Sequence, residues 1–229
     1  MGLQTPQKIR DLQRKLYLKA KKEPKFRFYL LQDKVWREDV LQHAYRLVRA
    51  NGGAPGIDGV TVQSIETGAG EAKFVLTLQQ ELKEKTYRAQ PVRRLYIAKA
   101  DGNRRALGIP TIRDRVAQMA VKLVIEPIFE ADFEDCSFGF RPKRDAHQAI
   151  EEVRQALYRA HPYVLDADLQ QYFDTIPHDN LIQVVAGRIS DRHILNWIKQ
   201  WLSAAVVEED QEGKRQTLSA NVNETLNRQ

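Results

Sequence analysis

Trp36, Val40, Ala44, Leu47 and Val48 fall on one stripe of a helix running from Trp36 to Arg49. Asn51-Gly52-Gly53 ends it, because glycine accepts left-handed backbone angles. The turn-rich loop Ala54-Pro55-Gly56-Ile57-Asp58-Gly59 follows, and Phe74, Leu78 and Leu82 then predict a helix near Glu71–Lys85. Val92–Ile97 and Arg104–Ile109 read as two strands, joined by a segment whose Asp101-Gly102 is a hairpin signal. Asp114 is placed to cap a helix carrying Val116, Met119, Ala120, Leu123 and Val124, which Pro127 bends or ends. Asp145 is expected to cap a helix along Ile150, Val153 and Leu157, and two more helices are expected near Asp179–Ile189 and Asp191–Ala205. Residues 1–34 are basic and partly helical, with Leu12, Leu16 and Tyr17 in helical spacing and a break at Pro24. Glu208 to Gln229 is polar without clear periodicity. Helices with a few interposed strands give an α+β class.

One segment carries a different signal. Tyr163-Val-Leu-Asp-Ala-Asp-Leu-Gln-Gln-Tyr-Phe-Asp174 starts as an apolar run typical of a buried strand. Asp166 and Asp168, two apart, share one face of that strand. Paired carboxylates at the end of a buried strand call for a cation opposite them, and Mg2+ is the usual one. The plain alternative is that both aspartates leave the strand and cap the helix near Pro177.

The 229 residues suffice for one large domain or two small ones. A single cysteine, Cys136, excludes a disulfide framework and a cysteine-based zinc site. No apolar stretch is long enough to cross a membrane and the N-terminus lacks a leader's apolar region, so the cytoplasm is the expected compartment. The five histidines show no metal spacing and are expected at the surface or at helix ends. Net charge is +6 and the pI about 9.4, which favours polyanionic partners. From Met1 to Arg49 there are thirteen Lys/Arg against five Asp/Glu. A second cluster (Arg88, Arg93, Arg94, Lys99, Arg104, Arg105, Arg113, Arg115) interleaves with Tyr87, Leu95, Tyr96 and Ile97. Arginines and aromatics along strands fit a nucleic-acid groove better than a plain solvated face.

Four segments, in order, resemble the reverse transcriptases encoded by bacterial group II introns. They are Asn51-Gly-Gly-Ala-Pro-Gly-Ile-Asp-Gly59; Pro91-Val-Arg-Arg-Leu-Tyr-Ile-Ala-Lys99 with Arg105-Ala-Leu-Gly-Ile-Pro110; Ser137-Phe-Gly-Phe-Arg-Pro142; and Asp168-Leu-Gln-Gln-Tyr-Phe-Asp174. The resemblance covers roughly residues 36 to 200. It implies right-hand polymerase-like fingers and a partial palm, mostly helical, with a fingers β-hairpin and a small antiparallel palm sheet. The implied division is a basic N-terminal segment (1–35), a fingers-like region (36–160), a partial palm (161–207) and a divergent polar tail (208–229).

By the same resemblance Asp168 matches the catalytic aspartate that binds two Mg2+ ions, with the Leu169 carbonyl as a further metal ligand. Those ions serve nucleotidyl transfer to a primer 3′ hydroxyl. The Gln171 and Tyr172 N–H groups would face the triphosphate, and Phe173 looks like the ring that excludes a ribose 2′-OH. Lys99 and Arg105 match hairpin cations that clamp the incoming nucleotide. Arg93 and Arg94 would line the nucleic-acid groove, while Arg113, Arg115 and Arg141 would hold template or the Asp168 region. Asp174 is expected to cap the next helix. Asp168 would stand at the rim of a palm sheet, facing the cationic hairpin across an open cleft. Implied partners are intron or template RNA and a DNA primer.

The sequence also departs from the family. It contains neither the Tyr-any-Asp-Asp turn nor the Pro-Gln-Gly segment that precedes it. A truncated or degenerate member is therefore expected, weak or inactive as a polymerase by itself. The alternative is a non-catalytic RNA-binding module that assists splicing. A reverse transcriptase of phage defence or of a CRISPR system is a third reading, which the Asn51–Gly59 loop disfavours.

Overall fold

The computed structural model describes residues 3–98, 102, 104–169, 172–209 and 215–218. In chain order the helices are α1 (Gln7–Lys22), α2 (Gln32–Val35), α3 (Glu38–Asn51), α4 (Val62–Thr67) and α5 (Gly70–Lys83). The hairpin β1 (Val92–Ala98) and β2 (Arg104–Ile109) follows, then α6 (Ile112–Glu130), α7 (Ala146–Tyr158), α8 (Tyr172–Thr175), α9 (His178–Arg188) and α10 (Arg192–Leu202). The strands β3 (Val206–Glu209) and β4 (Arg215–Leu218) come last.

The core is built around α6, which buries Ile112, Val116, Ala117, Ala120, Val121, Leu123, Val124 and Ile128 against α1 and α3. Each large aliphatic side chain removed from water contributes about 1.5–3 kcal/mol before entropy is counted. α1 supplies Ile9, Leu16 and Ala20; α3 supplies Val40, Leu41, Ala44, Tyr45 and Val48. Thr111, not Asp114, caps α6: its side chain accepts from the Asp114 N–H at 3.1 Å. Asp114 lies one turn in, buried, because its carboxylate serves a different partner. Pro127 does not end the helix, which continues to Glu130. Proline has no N–H to give to the Leu123 carbonyl four residues earlier. Gln13 of α1 fills that place, its Nε2 donating to the Leu123 oxygen at 3.0 Å.

The sheet order is β2-β1-β3-β4. β1 and β2 are antiparallel, as the Asp-Gly turn predicts, with Arg94 opposite Gly108 and Ile97 opposite Arg105. β3 pairs parallel to β1 through Val92–Val206 and Arg93–Val207, and antiparallel to β4. The expected small antiparallel sheet is thus a β3–β4 pair fused to the hairpin in one mixed sheet. These strands lie partly within the polar closing stretch, where four-residue strands leave too few positions to establish an alternation.

The basic N-terminal segment is tied to the far end of the chain. Asp191 caps α10 by accepting from the His193 and Ile194 N–H groups, and its other oxygen accepts from Leu31 at 2.8 Å and Gln32 at 2.9 Å. Arg188 donates to the carbonyls of Ala20, Glu23, Pro24 and Phe26 and pairs with Asp132 at 2.8 Å. Among the histidines, His43 departs from expectation: it is buried in α3, whereas His147, His161 and His178 are exposed.

Two features depart from the packing expected between residues 146 and 169. α7 forms with Asp145 in a capping box, yet buries no residue, and Ile150, Val153 and Leu157 stay exposed. Residues 161–169 form no strand, and Tyr163 is 95% and Leu165 92% exposed. A strand is held by ladder bonds and a packed face, and none of the described strands pairs with this run. None of the described helices is long and apolar enough to cross a membrane.

Candidate functional site

The hairpin, the Asn51–Gly59 loop, the start of α6, the Ser137–Pro142 loop and the segment around Asp168 carry the residues with predicted chemistry. On the hairpin, Gly108 lies opposite Arg94, and a Cβ there would sit 2.7 Å from Val92 Cγ1. Arg93 and Arg94 are half-buried, while Tyr96, Ile97 and Arg104 are exposed towards the hairpin tip. Arg105 holds its strand position opposite Ile97. Lys99 and Gln171 lie outside the described residues, as do the side chains of Arg105 and Asp174.

The Asn51–Gly59 loop is seated on the start of α6. A Cβ on Gly56 would stand 2.7 Å from backbone atoms of Thr111, so the two chains touch where only glycine fits. Gly52 and Gly53 adopt left-handed angles, φ 63° and 110°. Arg115 grips this loop, donating to the Ala54 carbonyl at 2.7 Å and the Gly52 carbonyl at 3.5 Å. Burial pulls its guanidinium below the usual range, and the negative charge of Asp58 opposes that shift.

Arg113 and Arg141 are likewise engaged by the protein. Arg113 donates to Glu81 and to the Arg88 carbonyl, and lies 4.5 Å over the Tyr87 ring. Arg141 is buried; it pairs with Glu130 at 2.7 Å and donates to the carbonyls of Glu134 at 2.5 Å and Ser137 at 2.7 Å. The three arginines expected at the template or beside Asp168 therefore fasten two loops and the Tyr87 turn. Nothing in sequence separates such a clamp from a phosphate contact, since both need the same five-donor fork.

Asp166, Asp168 and Leu169 are exposed, and none of the described strands pairs with the run that carries them. Among the described residues no three His, Cys, Asp or Glu side chains group to hold a metal ion. Mg2+ demands near-octahedral oxygen coordination, so the described residues do not by themselves form the expected two-ion site.

What the structure does bring together is aromatic. Phe173 meets Phe140 edge to face, with ring centroids 5.9 Å apart and planes at 87°, and Tyr172 at 5.4 Å. Sequence reasoning marked Phe173 and the Phe-Gly-Phe-Arg-Pro loop but missed Phe140. Its backbone is left-handed, φ 58°, which no sequence signal announces for phenylalanine.

Comparison with known proteins follows the same stretch of chain. Residues 97–222 match the family described as reverse transcriptase (RNA-dependent DNA polymerase). Protein YkfC of Escherichia coli (strain K12) is 36% identical over 206 residues, covering 87% of this chain and 54% of YkfC. Group II intron-encoded protein LtrA of Lactococcus lactis subsp. cremoris is 37% identical over 173 residues, 75% of this chain and 28% of LtrA. Nuclear intron maturase 1, mitochondrial, of Arabidopsis thaliana is 29% identical over 93 residues, 41% of this chain and 13% of the maturase. The chain spans about half the length of YkfC and little more than a quarter of LtrA.

Proposed function

The chain belongs to the reverse transcriptase family, among relatives of group II intron-encoded proteins, and from that premise we propose that it serves as the fingers and leading palm of an RNA-directed DNA polymerase. The supporting observation is that Lys99, Arg105, Asp168 and Phe173 all fall inside the matched stretch of residues 97–222. In this reading RNA lies along the basic hairpin through Arg93 and Arg94. Lys99 and Arg105 close on the triphosphate of an incoming nucleotide, whose sugar rests against Phe173. The backbone N–H groups of Gln171 and Tyr172 face the same phosphates. Arg113, Arg115 and Arg141 act by holding the loops that frame the site.

Family members work with divalent cations, which Asp168 and the Leu169 carbonyl would help to hold once further carboxylates join them. This sequence contains no Tyr-any-Asp-Asp, so primer extension by this chain alone is expected to be absent or barely detectable. Robust Mg2+-dependent extension on an RNA template, abolished by Asp168→Ala, would show that the chain completes its own site.

The open position of Asp166 and Asp168 favours a second reading: an RNA-binding, splicing-assisting module without chemistry. The two readings differ in one measurement. Mixed with a polypeptide carrying the missing carboxylates, a polymerase half gains extension that Asp168→Ala removes, whereas a binding module gains none. Both predict RNA affinity falling steeply with salt, because each neutralised phosphate releases counterions. With RNA as partner, the cytoplasm is the proposed compartment.

A further inference from the structure

Phe140 is 92% exposed, and its backbone holds φ at 58°. For a bulky side chain that angle is a true outlier, which persists only where the surroundings over-determine it. The surroundings here are the next residue. Arg141 is buried, its guanidinium held by the Glu130 carboxylate and by the carbonyls of Glu134 and Ser137. Lys143, two residues on, is left-handed as well, φ 60°. The turn is thus held strained at two positions around an anchored arginine, and the side chain it offers to solvent is an apolar ring. Burial does not repay the strain, since the ring lies outside the core and the ring it meets, Phe173, is itself 70% exposed. Tyr172 continues the row.

Three adjoining rings with open edges and faces, on a chain of net charge +6, match one ligand chemistry well. Unpaired nucleobases stack on aromatics regardless of sequence, and cations nearby take the phosphates. Lys143 is the exposed cation closest in sequence to Phe140. We propose that Phe140, presented by the Arg141 anchor and set against Phe173, is a stacking residue for an unpaired base of single-stranded RNA. The proposal rests on the RNA-handling reading above and adds to it a residue and a contact. It also separates the roles of neighbours: Arg141 positions, Phe140 touches.

The test uses the full chain and two labelled oligomers followed by fluorescence anisotropy: a short unstructured RNA and the same sugar-phosphate backbone without bases. Wild type should bind the base-bearing oligomer more tightly. Phe140→Ala should lose about tenfold in affinity for it, the scale of one stacked base, and nothing for the abasic oligomer. Phe140→Gly should behave the same while melting no lower than wild type, because glycine relieves the left-handed strain. Unchanged RNA affinity in both variants, or an equal loss on both oligomers, would overturn the stacking role. A wild type that binds neither oligomer would instead sink the RNA-handling reading, and this inference with it.

Discussion

The Tyr87 hydroxyl donates to the buried Asp114 carboxylate at 2.6 Å, joining the turn before the hairpin to the first turn of α6. The same hydroxyl accepts from Trp201 Nε1 at 2.9 Å, and the other Asp114 oxygen accepts from the Gln90 N–H at 2.9 Å. Helix α6, the 87–90 turn and α10 therefore meet at one hydrogen-bonded knot, with Arg113 over the Tyr87 ring. Tyr87→Phe leaves a carboxylate oxygen and an indole N–H short of a partner, and should cost about 1–3 kcal/mol in urea unfolding at neutral pH.

The same knot predicts an alkaline limit. Burial, and after it the negative Asp114, push the Tyr87 phenol well above its usual value near 10. The folded state therefore keeps the proton while the unfolded chain releases it. This contribution is complete below about pH 10 and is lost as pH rises beyond it. The melting temperature of wild type should fall more steeply above pH 10 than that of Tyr87→Phe; parallel curves would remove the assignment.

His43 predicts the opposite slope. Burial first, and Arg46 second, hold its imidazole below the ordinary value of 6.5, and among the described residues its Nε2 has no hydrogen-bond partner. The unfolded chain takes up the proton more readily. Its contribution is present above about pH 6.5 and is lost as pH falls through the depressed value. His43→Leu should narrow the stability gap between pH 7 and pH 5, as read from paired thermal melts.

Gly56→Ala tests the seat of the Asn51–Gly59 loop. The new methyl would meet Thr111 backbone rather than a movable side chain. A loss of about 1–3 kcal/mol is expected, seen as a lower melting temperature. Gly59→Ala meets open space but forces alanine to φ 70°, and should cost about 1 kcal/mol. Equal effects would show that the contact with α6 is not what fixes position 56.

The exposed row Ile150, Val153 and Leu157 on α7 predicts self-association of the isolated chain. Replacing all three with glutamate should restore a monomer in sedimentation experiments while leaving the melting temperature within a few degrees. A large fall in stability would mean that the row is packed in solution.

How much of this was legible in sequence depends on what fixes each element. α3, α5 and the hairpin follow from local rules, namely a stripe, a glycine stop and an Asp-Gly turn, and they form within a residue or two of expectation. Asp114 was misread because Thr111 and Asp114 both suit a cap, and only the distant Tyr87 decides between them. Continuation of α6 past Pro127 was hidden for a similar reason: the substitute donor, Gln13, lies on another helix. The Asp168 run carries a strand's composition, but composition cannot supply the neighbours that a ladder needs. For the candidate site, the motifs mark loops in the chain but not the contacts that the arginines in and beside them make. Which of their arginines face inward depends on Glu81, Glu130 and backbone carbonyls that no spacing rule connects to them.

The bonds from Asp191 to Leu31 and Gln32 span about 160 positions of the chain. At ~5–20 residues per second of synthesis, roughly ten to thirty seconds separate the emergence of the two ends of that tie. During this interval the lysines and arginines of α1 have left the ribosome while the carboxylate that will dock the following segment does not yet exist. On the RNA-handling reading proposed above, a nascent polypeptide in that state would already offer its cations to RNA close by, and an encounter with a transcript would begin before translation is finished.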